Sequence, residues 1–258
     1  MNRTGLFIAL SLALVIGLLF GVYPELDLKL AALFYDAPTR SFPLKLNWLA
    51  GVARDAAMWI AWGLAVPAIA ALIVKLVRPD RPLMMSGRAI LLLLLTLALS
   101  AGVLTNLTFK SYWGRPRPVL VTEFNGDLPF MPWWDPRGGC DRNCSFFSGE
   151  GATAFWTLAP AALTPPPWRP VAYAAATVFG VATSALRMAF GGHFFTDVAI
   201  AGLVTFLVIW LAYALIYRWS ATRLTDARID AALSRLAWPG FRRTQRWLGR
   251  EVGPRPAS

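Results

Sequence analysis

Apolar residues form six long runs along this chain, and shorter polar segments separate them. A helix of roughly 20 residues crosses about 30 Å of hydrocarbon, and each run is close to that length or longer. The pattern predicts an all-α fold, a polytopic membrane protein built as a bundle of six transmembrane helices. The predicted spans cover residues 5–23, 48–76, 88–109, 148–164, 168–187 and 194–217.

Composition agrees with a membrane protein and bears on the class of partner. Hydrophobic residues make up 57% of the chain, charged residues 15%, and the mean hydropathy is +0.51. The formal net charge of +11 would suit nucleic acid, but most of the excess lies after the last span. We therefore interpret it as a topology signal and an attraction to anionic headgroups, with the bilayer and no nucleic acid as partner.

Positive residues beside short loops stay on the cytoplasmic side, which predicts the orientation. The tail after Tyr217 carries nine arginines, and the other positive segments expected on the same side contain Lys75, Arg78, Arg81, Arg88 and Arg169. Both termini are then cytoplasmic, in a bacterial inner membrane. Residues 1–217 form the predicted core, and residues 218–258 an Arg-rich amphipathic tail with one apolar face made by Leu224, Ile229, Leu233 and Leu236.

The opposite, outer side holds residues 23–47, the long loop 111–147 and the short turn "RMAFGGH". Cys140 and Cys144 both fall in the long loop, so a small disulfide loop in an oxidising compartment is one interpretation. Two free thiols are the other, because so short a spacing is geometrically awkward. Two cysteines and one histidine make a poor zinc site, and no metal or cofactor is predicted.

Three polar clusters fall at the outer ends of predicted helices. "KSYWGRPRP" contains Lys110, Arg115 and Arg117, whose charges suit phosphate oxygens. A positive helix flank is the plainer interpretation, but such flanks favour the inner side. In the second cluster, Ser148 and Gly149 open a helix whose free N–H groups would face an anion, although a serine there is usually only an N-cap.

The third cluster, "LRMAFGGHFFTD", combines Arg187, His193 and Asp197. Four residues on a helix place the imidazole and the carboxylate on one face. The carboxylate can then hold one ring nitrogen protonated and leave the other free to attack, although a lone histidine is more often structural.

Together the clusters resemble the three-part signature of the type 2 phosphatidic acid phosphatase superfamily, over roughly residues 5–217. The matching pattern is Lys110-x6-Arg117-Pro118, then Ser148-Gly149, then Arg187-x5-His193-x3-Asp197. The resemblance implies a lipid phosphatase with its active site at the periplasmic face. The residues it implies as phosphate ligands are Lys110, Arg117, Ser148, Gly149 and Arg187. It further implies that His193 forms a phosphohistidine, that Asp197 orients His193, and that no metal is required.

One departure from the family pattern concerns the general acid. The family has Pro-Ser-Gly-His in its second motif, whereas this chain has Phe147-Ser148-Gly149-Glu150. We expect Glu150 to protonate the leaving oxygen and then to deprotonate water. Two alternatives stay open: Glu150 contacts the substrate or caps its helix while Glu123 or Asp141 serves as the acid, or the chain is a phosphotransferase or a lipid-binding relative without hydrolysis.

The substrate is expected to be a membrane lipid phosphate, because the site lies at headgroup level. The variant "NCSF-x-SGE" resembles bacterial phosphatases grouped near the lipid A phosphatases, so lipid A is favoured. Undecaprenyl pyrophosphate, phosphatidylglycerol phosphate and phosphatidic acid are the alternatives. Arg54 and Asp55, just inside the second span, either pair with each other or border the cavity, and the structural interpretation is favoured.

Overall fold

The computed structural model describes residues 2–219, 222 and 224–249. These residues are mainly helical and contain no β-strand, only two isolated bridges. Five helices are long and apolar enough to cross a membrane: Arg3–Val22, Trp48–Val77, Gly87–Tyr112, Arg169–Ala189 and Phe195–Arg218. They correspond to five of the six predicted spans, and the all-α prediction is confirmed.

The helices are labelled in chain order: α1 Arg3–Val22, α2 Glu25–Ala32, α3 Trp48–Val77, α4 Gly87–Leu97, α5 Lys110–Tyr112, α6 Gly149–Phe155, α7 Leu158–Leu163, α8 Arg169–Ala189, α9 Phe195–Tyr213 and α10 Asp226–Trp247. A π-helix, Ala98–Phe109, joins α4 to α5, and another, Ala214–Arg218, extends α9. Three 3₁₀ turns lie at Pro43–Leu46, Pro118–Leu120 and Thr122–Phe124.

The fourth predicted span, 148–164, is not one continuous helix. It consists of the short helices α6 and α7, which a turn at residues 156–157 separates. Pro160 has no N–H to donate to the carbonyl of Trp156, so one hydrogen bond of a continuous helix is missing where the two helices separate. Both helices pack against α8. The apolar run predicted a helix correctly, but the continuous sixth span was not confirmed.

The π-helix before α5 has a local cause in its polar side chains. Thr105 donates its hydroxyl to the carbonyl of Ser100 at 2.7 Å, and Asn106 donates its amide to Ala101 at the same distance. Thr108 and Ser111 likewise reach carbonyls five residues back. Such i−5 contacts suit the wider π-turn, which is frequent next to functional sites. The π-helix ends where Lys110 begins α5.

The described residues divide into two compact units, one within 1–62 and 96–210 and the other within 63–95 and 211–258. In the first unit, the three predicted outer segments share one hydrophobic cluster. Phe42 comes from the first segment, Val121 and Phe124 from the long loop, and Phe194 from the residue that follows the short turn. Aromatic contacts between Phe42 and Phe124, and between Phe130 and Phe194, hold these segments together.

The second unit contains α10, which covers much of the predicted tail. Thr225 caps this helix, accepting from the N–H of Arg228 at 3.2 Å. Asp230 pairs with the buried Lys75 at 2.9 Å, and Ile229 lies against Gly87. Residues 220, 221, 223 and 250–258 of the tail lie outside the described part, and the domain boundary after residue 217 stays a prediction.

Candidate active site

The three predicted polar clusters lie together in the unit of residues 1–62 and 96–210. A Cβ built on Gly149 would lie 3.2 Å from the Nζ of Lys110, which joins α5 to the start of α6. The N–H of Ser148 donates to the backbone oxygen of Asp197 at 3.1 Å. Hence the structure brings the predicted site residues to one region: Lys110, Arg117, Ser148, Gly149, Glu150, Arg187, His193 and Asp197. Their roles stay predictions.

His193 follows a two-glycine turn and precedes the first residue of α9. Gly191 has φ +61°, in the left-handed region that favours glycine. The imidazole is buried, and its Nδ1 lies 2.8 Å from the backbone oxygen of Ser145. Because a carbonyl only accepts, Nδ1 carries the proton and Nε2 keeps the lone pair. Burial lowers the pKa of His193 to about 4, so the ring is uncharged at neutral pH and suited to nucleophilic attack.

Asp197 does not make the direct hydrogen bond to His193 that the four-residue spacing predicts. Its nearest oxygen lies 3.8 Å from the imidazole Nδ1. His193 precedes α9, so helical spacing does not govern the pair. Asp197 instead accepts from the Ser145 hydroxyl at 2.5 Å and from the N–H of Phe194 at 2.8 Å. The carboxylate thus orders the two segments that flank the imidazole.

Arg115 is fully buried in an ion network and does not have the phosphate-binding position that the sequence indicated. Its guanidinium donates to Asp197 at 2.5 Å, to Asp27 at 2.8 Å and to the Thr196 hydroxyl at 2.8 Å. It also lies 4.5 Å from the centre of the Phe194 ring. A buried guanidinium needs such complete pairing to offset its desolvation. Arg115 therefore connects α2 to the first turn of α9.

Lys110 and Arg117, the predicted phosphate ligands of the first cluster, converge on one oxygen. The Oδ1 of Asn143 lies 2.7 Å from an Nη of Arg117 and 3.4 Å from the Nζ of Lys110. Asn143 belongs to a loop that a disulfide between Cys140 and Cys144 closes, with Cα atoms 5.8 Å apart. The disulfide is the first of the two interpretations offered by the sequence. An amide oxygen that accepts from both cations marks where a phosphate oxygen can be bound.

Glu150 forms ion pairs with two arginines. Arg54, from α3, donates Nε to both carboxylate oxygens at 2.9 and 3.1 Å, and Nη2 to one of them at 2.6 Å. Arg187 is more distant, with its Nε 3.4 Å from Glu150. A Cβ on Gly192 would lie 2.6 Å from the Nη2 of Arg187, so the glycine makes room for this guanidinium. Glu150 is therefore bound mainly by Arg54.

Ser148 caps the helix that the second cluster begins. Its hydroxyl accepts from the N–H of Gly151 at 3.1 Å, and the side chain is buried. The plainer interpretation of this serine is thus seen in the structure. Its hydroxyl is used within α6, while the backbone of Gly149 lies beside Lys110.

The site gathers positive charge around the carboxylate of Glu150, while the Asp197 carboxylate is paired with the buried Arg115. Lys110, Arg117, Arg187 and Arg54 bring four cations, and Glu150 brings one anion. Such an excess suits a phosphate group and the charge that develops when phosphate is transferred. Among the described residues, no group of three or more His, Cys, Asp or Glu side chains is arranged to hold a metal ion.

Four contributors to the site were missed or given a structural role from the sequence. Arg54 was noticed as a charge at membrane depth, which is the one signal that pointed to it. Asn143 and Ser145 belong to the variant "NCSF-x-SGE", which carried the resemblance but gave neither residue a role. Asp27 carries no signal, because an acid in an outer segment is common. The importance of these three residues comes from contacts with residues far along the chain.

Comparison with known proteins finds a family model and three curated proteins that are similar to this chain. The family model described as PAP2 superfamily matches residues 89–221, just over half of the chain. The lipid A 4'-phosphatase of Francisella tularensis subsp. novicida (strain U112) is 32% identical over 219 residues, covering 84% of this chain and 98% of that protein. The protein of the same name from Rhizobium leguminosarum is 35% identical over 113 residues, 44% of this chain and 48% of its own length.

A third lipid A 4'-phosphatase, from Rhizobium etli (strain ATCC 51251 / DSM 11541 / JCM 21823 / NBRC 15573 / CFN 42), is 36% identical over 106 residues, 41% of each chain. No solved structure matches. The family model covers the predicted motifs, and the Francisella protein aligns along nearly its whole length. The chain belongs to the PAP2 superfamily, the family that its three motifs resemble.

Proposed function

We propose that this protein is an integral-membrane lipid phosphatase that hydrolyses the 4'-phosphate monoester of lipid A. One observation carries the chemistry: His193 is a buried imidazole whose Nδ1–H is bound by the carbonyl of Ser145, which leaves Nε2 free, and the guanidinium of Arg187 lies beside the preceding Gly192. A nucleophile beside fixed cations is the arrangement that phosphoryl transfer needs. The relatives named lipid A 4'-phosphatase support the substrate.

In the first step, the Nε2 lone pair of His193 attacks phosphorus and the bond to the sugar oxygen breaks. Lys110, Arg117 and Arg187 hold the phosphate oxygens and stabilise the charge that develops on them. The backbone oxygen of Ser145 accepts a hydrogen bond from Nδ1–H, which keeps the ring oriented. The products of this step are the dephosphorylated lipid and a phosphohistidine.

Glu150 moves the protons in this scheme. It is ion-paired with Arg54, so it is in the carboxylate form that accepts a proton from water in the second step, when hydroxide attacks the phosphohistidine and His193 leaves. In the first step it must donate a proton to the leaving oxygen. A substrate phosphate in its monoanionic form supplies that proton, which Glu150 passes to the leaving oxygen; the proton that Glu150 takes from water in the second step is then released with the phosphate product.

Among the described residues, neither alternative acid forms a hydrogen bond or an ion pair with a residue of the candidate site. Glu123 is exposed and accepts from the Thr122 hydroxyl at 3.2 Å, while Asp141 is exposed in the disulfide loop. Glu150 is the carboxylate that lies beside a predicted phosphate ligand, Arg187. It is therefore the acid that we assign.

The proposal includes six membrane crossings, with the site on the periplasmic side and both termini in the cytoplasm. The shared cluster of the three outer segments supports this, because segments on one side are separated by an even number of crossings. The helices α6 and α7 then count together as one crossing, in keeping with their packing against α8. Positive residues at 75–88 and a disulfide at the opposite side agree with this orientation.

The orientation is tested with reporter fusions in the bacterial envelope. Alkaline phosphatase, which is active only outside the cytoplasm, should be active when fused after Gly126 and inactive when fused after Pro166. A fluorescent protein that requires the cytoplasm should give the reverse. Activity of alkaline phosphatase at both positions would contradict the predicted crossings.

The function is tested by inorganic phosphate release from the purified protein in detergent with EDTA. Lipid A is offered beside phosphatidic acid, undecaprenyl pyrophosphate and phosphatidylglycerol phosphate, and mass spectrometry locates the phosphate that lipid A loses. We expect release from the 4' position, abolished by His193→Ala and retained by Arg78→Ala, a surface variant. Release that persists in His193→Ala would refute the mechanism, and no release from any lipid would favour a non-hydrolytic relative.

A further inference from the structure

Arg54 lies outside the three motifs and outside the region that the family model matches. It is in the second turn of α3, and the matched region begins at residue 89. Its guanidinium nevertheless binds both oxygens of Glu150 with three contacts of 2.6 to 3.1 Å. A helix remote in sequence thus supplies a cation to the candidate active site.

Glu150 poses a difficulty for phosphate binding. The family has a histidine in this position, which is neutral or positive, whereas a carboxylate repels a phosphate anion. Glu150 is only 20% exposed at its side chain, so water screens its charge weakly. It also lies 3.4 Å from Arg187, a predicted phosphate ligand. Without another cation beside it, Glu150 would neutralise the charge of Arg187.

The two arginines do not share Glu150 equally. Arg54 holds it in a bidentate fork, while the Nε of Arg187 approaches it outside hydrogen-bond geometry and is buried without another partner among the described residues. The fork keeps the carboxylate on the Arg54 side. The guanidinium of Arg187 therefore interacts less strongly with Glu150 than that of Arg54 does.

We propose that Arg54 is a positioning residue: it neutralises Glu150 and holds it away from Arg187, so that the site accepts a phosphate despite the carboxylate. This inference rests on the proposed function and names what compensates the change from histidine to glutamate. Arg54 acts through Glu150 and does not itself bind the phosphate. Consequently its loss should matter only while Glu150 is charged.

Four proteins test this: the wild type, Arg54→Ala, Glu150→Gln and the double variant. Binding of inorganic phosphate is measured by titration calorimetry, and the KM for the lipid phosphate where activity remains. Arg54→Ala should weaken phosphate binding by about tenfold or more, because an unpaired carboxylate then faces the phosphate. Glu150→Gln removes the repulsion, so the double variant should bind within about threefold of Glu150→Gln alone.

The rescue distinguishes this role from a structural one. If the double variant binds phosphate as weakly as Arg54→Ala, then Arg54 contacts phosphate directly or only supports the fold, and the inference is wrong. If Arg54→Ala binds like the wild type, the inference is also wrong. The rescue concerns binding, so a low kcat caused by the loss of Glu150 as acid does not obscure it.

Arg78→Ala serves as the matched control. Arg78 and Asp80 form a second bidentate pair, at 3.1 and 3.2 Å, in the other unit of the chain. Its removal should change neither phosphate affinity nor KM. If Arg54→Ala does not fold, Arg54→Lys carries the test, since it keeps the charge and loses the fork. Arg54→Lys should weaken phosphate binding by less than tenfold, and adding Glu150→Gln should restore the binding. If Glu150→Gln does not restore it, the inference is wrong.

The outcomes separate this inference from the proposed function. If the wild type binds phosphate but releases none from any lipid, the function fails while the rescue experiment still decides the role of Arg54. If release requires His193 but the rescue is absent, the function stands and the inference fails.

Discussion

Replacing Asp27 by alanine tests whether the outer helix α2 supports the active site. Asp27 is 1% exposed and accepts from Arg115 at 2.8 Å, from the N–H of Thr196 at 3.0 Å and from the Thr196 hydroxyl at 2.5 Å. Its removal leaves three buried donors without this acceptor, and Arg115 keeps only Asp197 as a charged partner. The two elements it joins, α2 and the first turn of α9, then lose their polar connection.

The magnitude follows from the burial of the pair. Breaking a buried ion pair by removing one partner costs about 3–5 kcal/mol, and Asp197 still compensates part of the charge, so we expect about 3 kcal/mol. For a chain of this size, 1 kcal/mol corresponds to about 2–4 °C, so the unfolding temperature should fall by about 6–12 °C. Asp27→Asn keeps the shape of the side chain. Its unfolding temperature should fall by less, because the amide carbonyl still accepts from Thr196.

The assay combines thermal unfolding in detergent with phosphate release below the unfolding temperature. Glu25→Ala is the control, because it removes an exposed acid from the same helix and should change neither quantity. In the Asp27 variants we expect kcat to fall by a larger factor than KM changes. The ion network positions His193, and its loss leaves the phosphate ligands in place. If Asp27→Ala were as stable and active as Glu25→Ala, the ion network would not support the site.

Four further predictions concern the candidate site. Because the pKa of His193 is lowered to about 4, the acid limb that this residue causes in a pH profile of kcat/KM should lie near pH 4. An acid limb near 6.5, the ordinary pKa of histidine, would contradict this. Because the pKa of His193 is lower in the folded protein than in the unfolded chain, its contribution to stability is complete above about pH 6.5 and falls as the pH drops towards 4, which unfolding at several pH values measures. Gly192→Ala should raise KM by about tenfold, because the added Cβ would displace Arg187, whereas Gly21→Ala, with nothing within 4 Å, should not. Ser145→Ala keeps the carbonyl that orients the imidazole but loses the hydroxyl bound to the buried carboxylate, so kcat should fall by about tenfold, and an unchanged kcat would exclude that hydroxyl from the positioning of the ring.

Most of the helical fold was predictable because long apolar runs in this chain act almost independently of tertiary context. The predicted span 48–76 and the helix Trp48–Val77 differ by one residue at one end. The continuous helix predicted at 148–164 was not confirmed, because hydropathy alone does not register that Pro160 lacks a backbone N–H. The break shortens each piece without removing its apolar character, so α6 and α7 still pack as helices against α8.

The candidate site was predictable where a residue type and a spacing carry the signal, and not where a contact comes from elsewhere in the chain. The motif residues Lys110, Arg187 and His193 lie close together, as their positions at predicted helix ends indicated. The partner of the imidazole is a main-chain carbonyl, that of Ser145, and no side-chain pattern can encode it. Asp197 was identified as part of the site, but its contacts depend on the exact start of α9.

The active site of this chain extends beyond the region that the family model matches. That region begins at residue 89, yet Asp27 from α2 and Arg54 from α3 bind charged groups of the site. Each compensates a charge that would otherwise be costly: Asp27 that of the buried Arg115, and Arg54 that of Glu150. Under the role that we infer for Arg54, a carboxylate in place of the usual histidine is compatible with phosphate binding because a cation from α3 accompanies it. It follows that grafting Glu150 into a relative that lacks an arginine at this place in α3 should impair phosphate binding, and that adding the arginine should restore it.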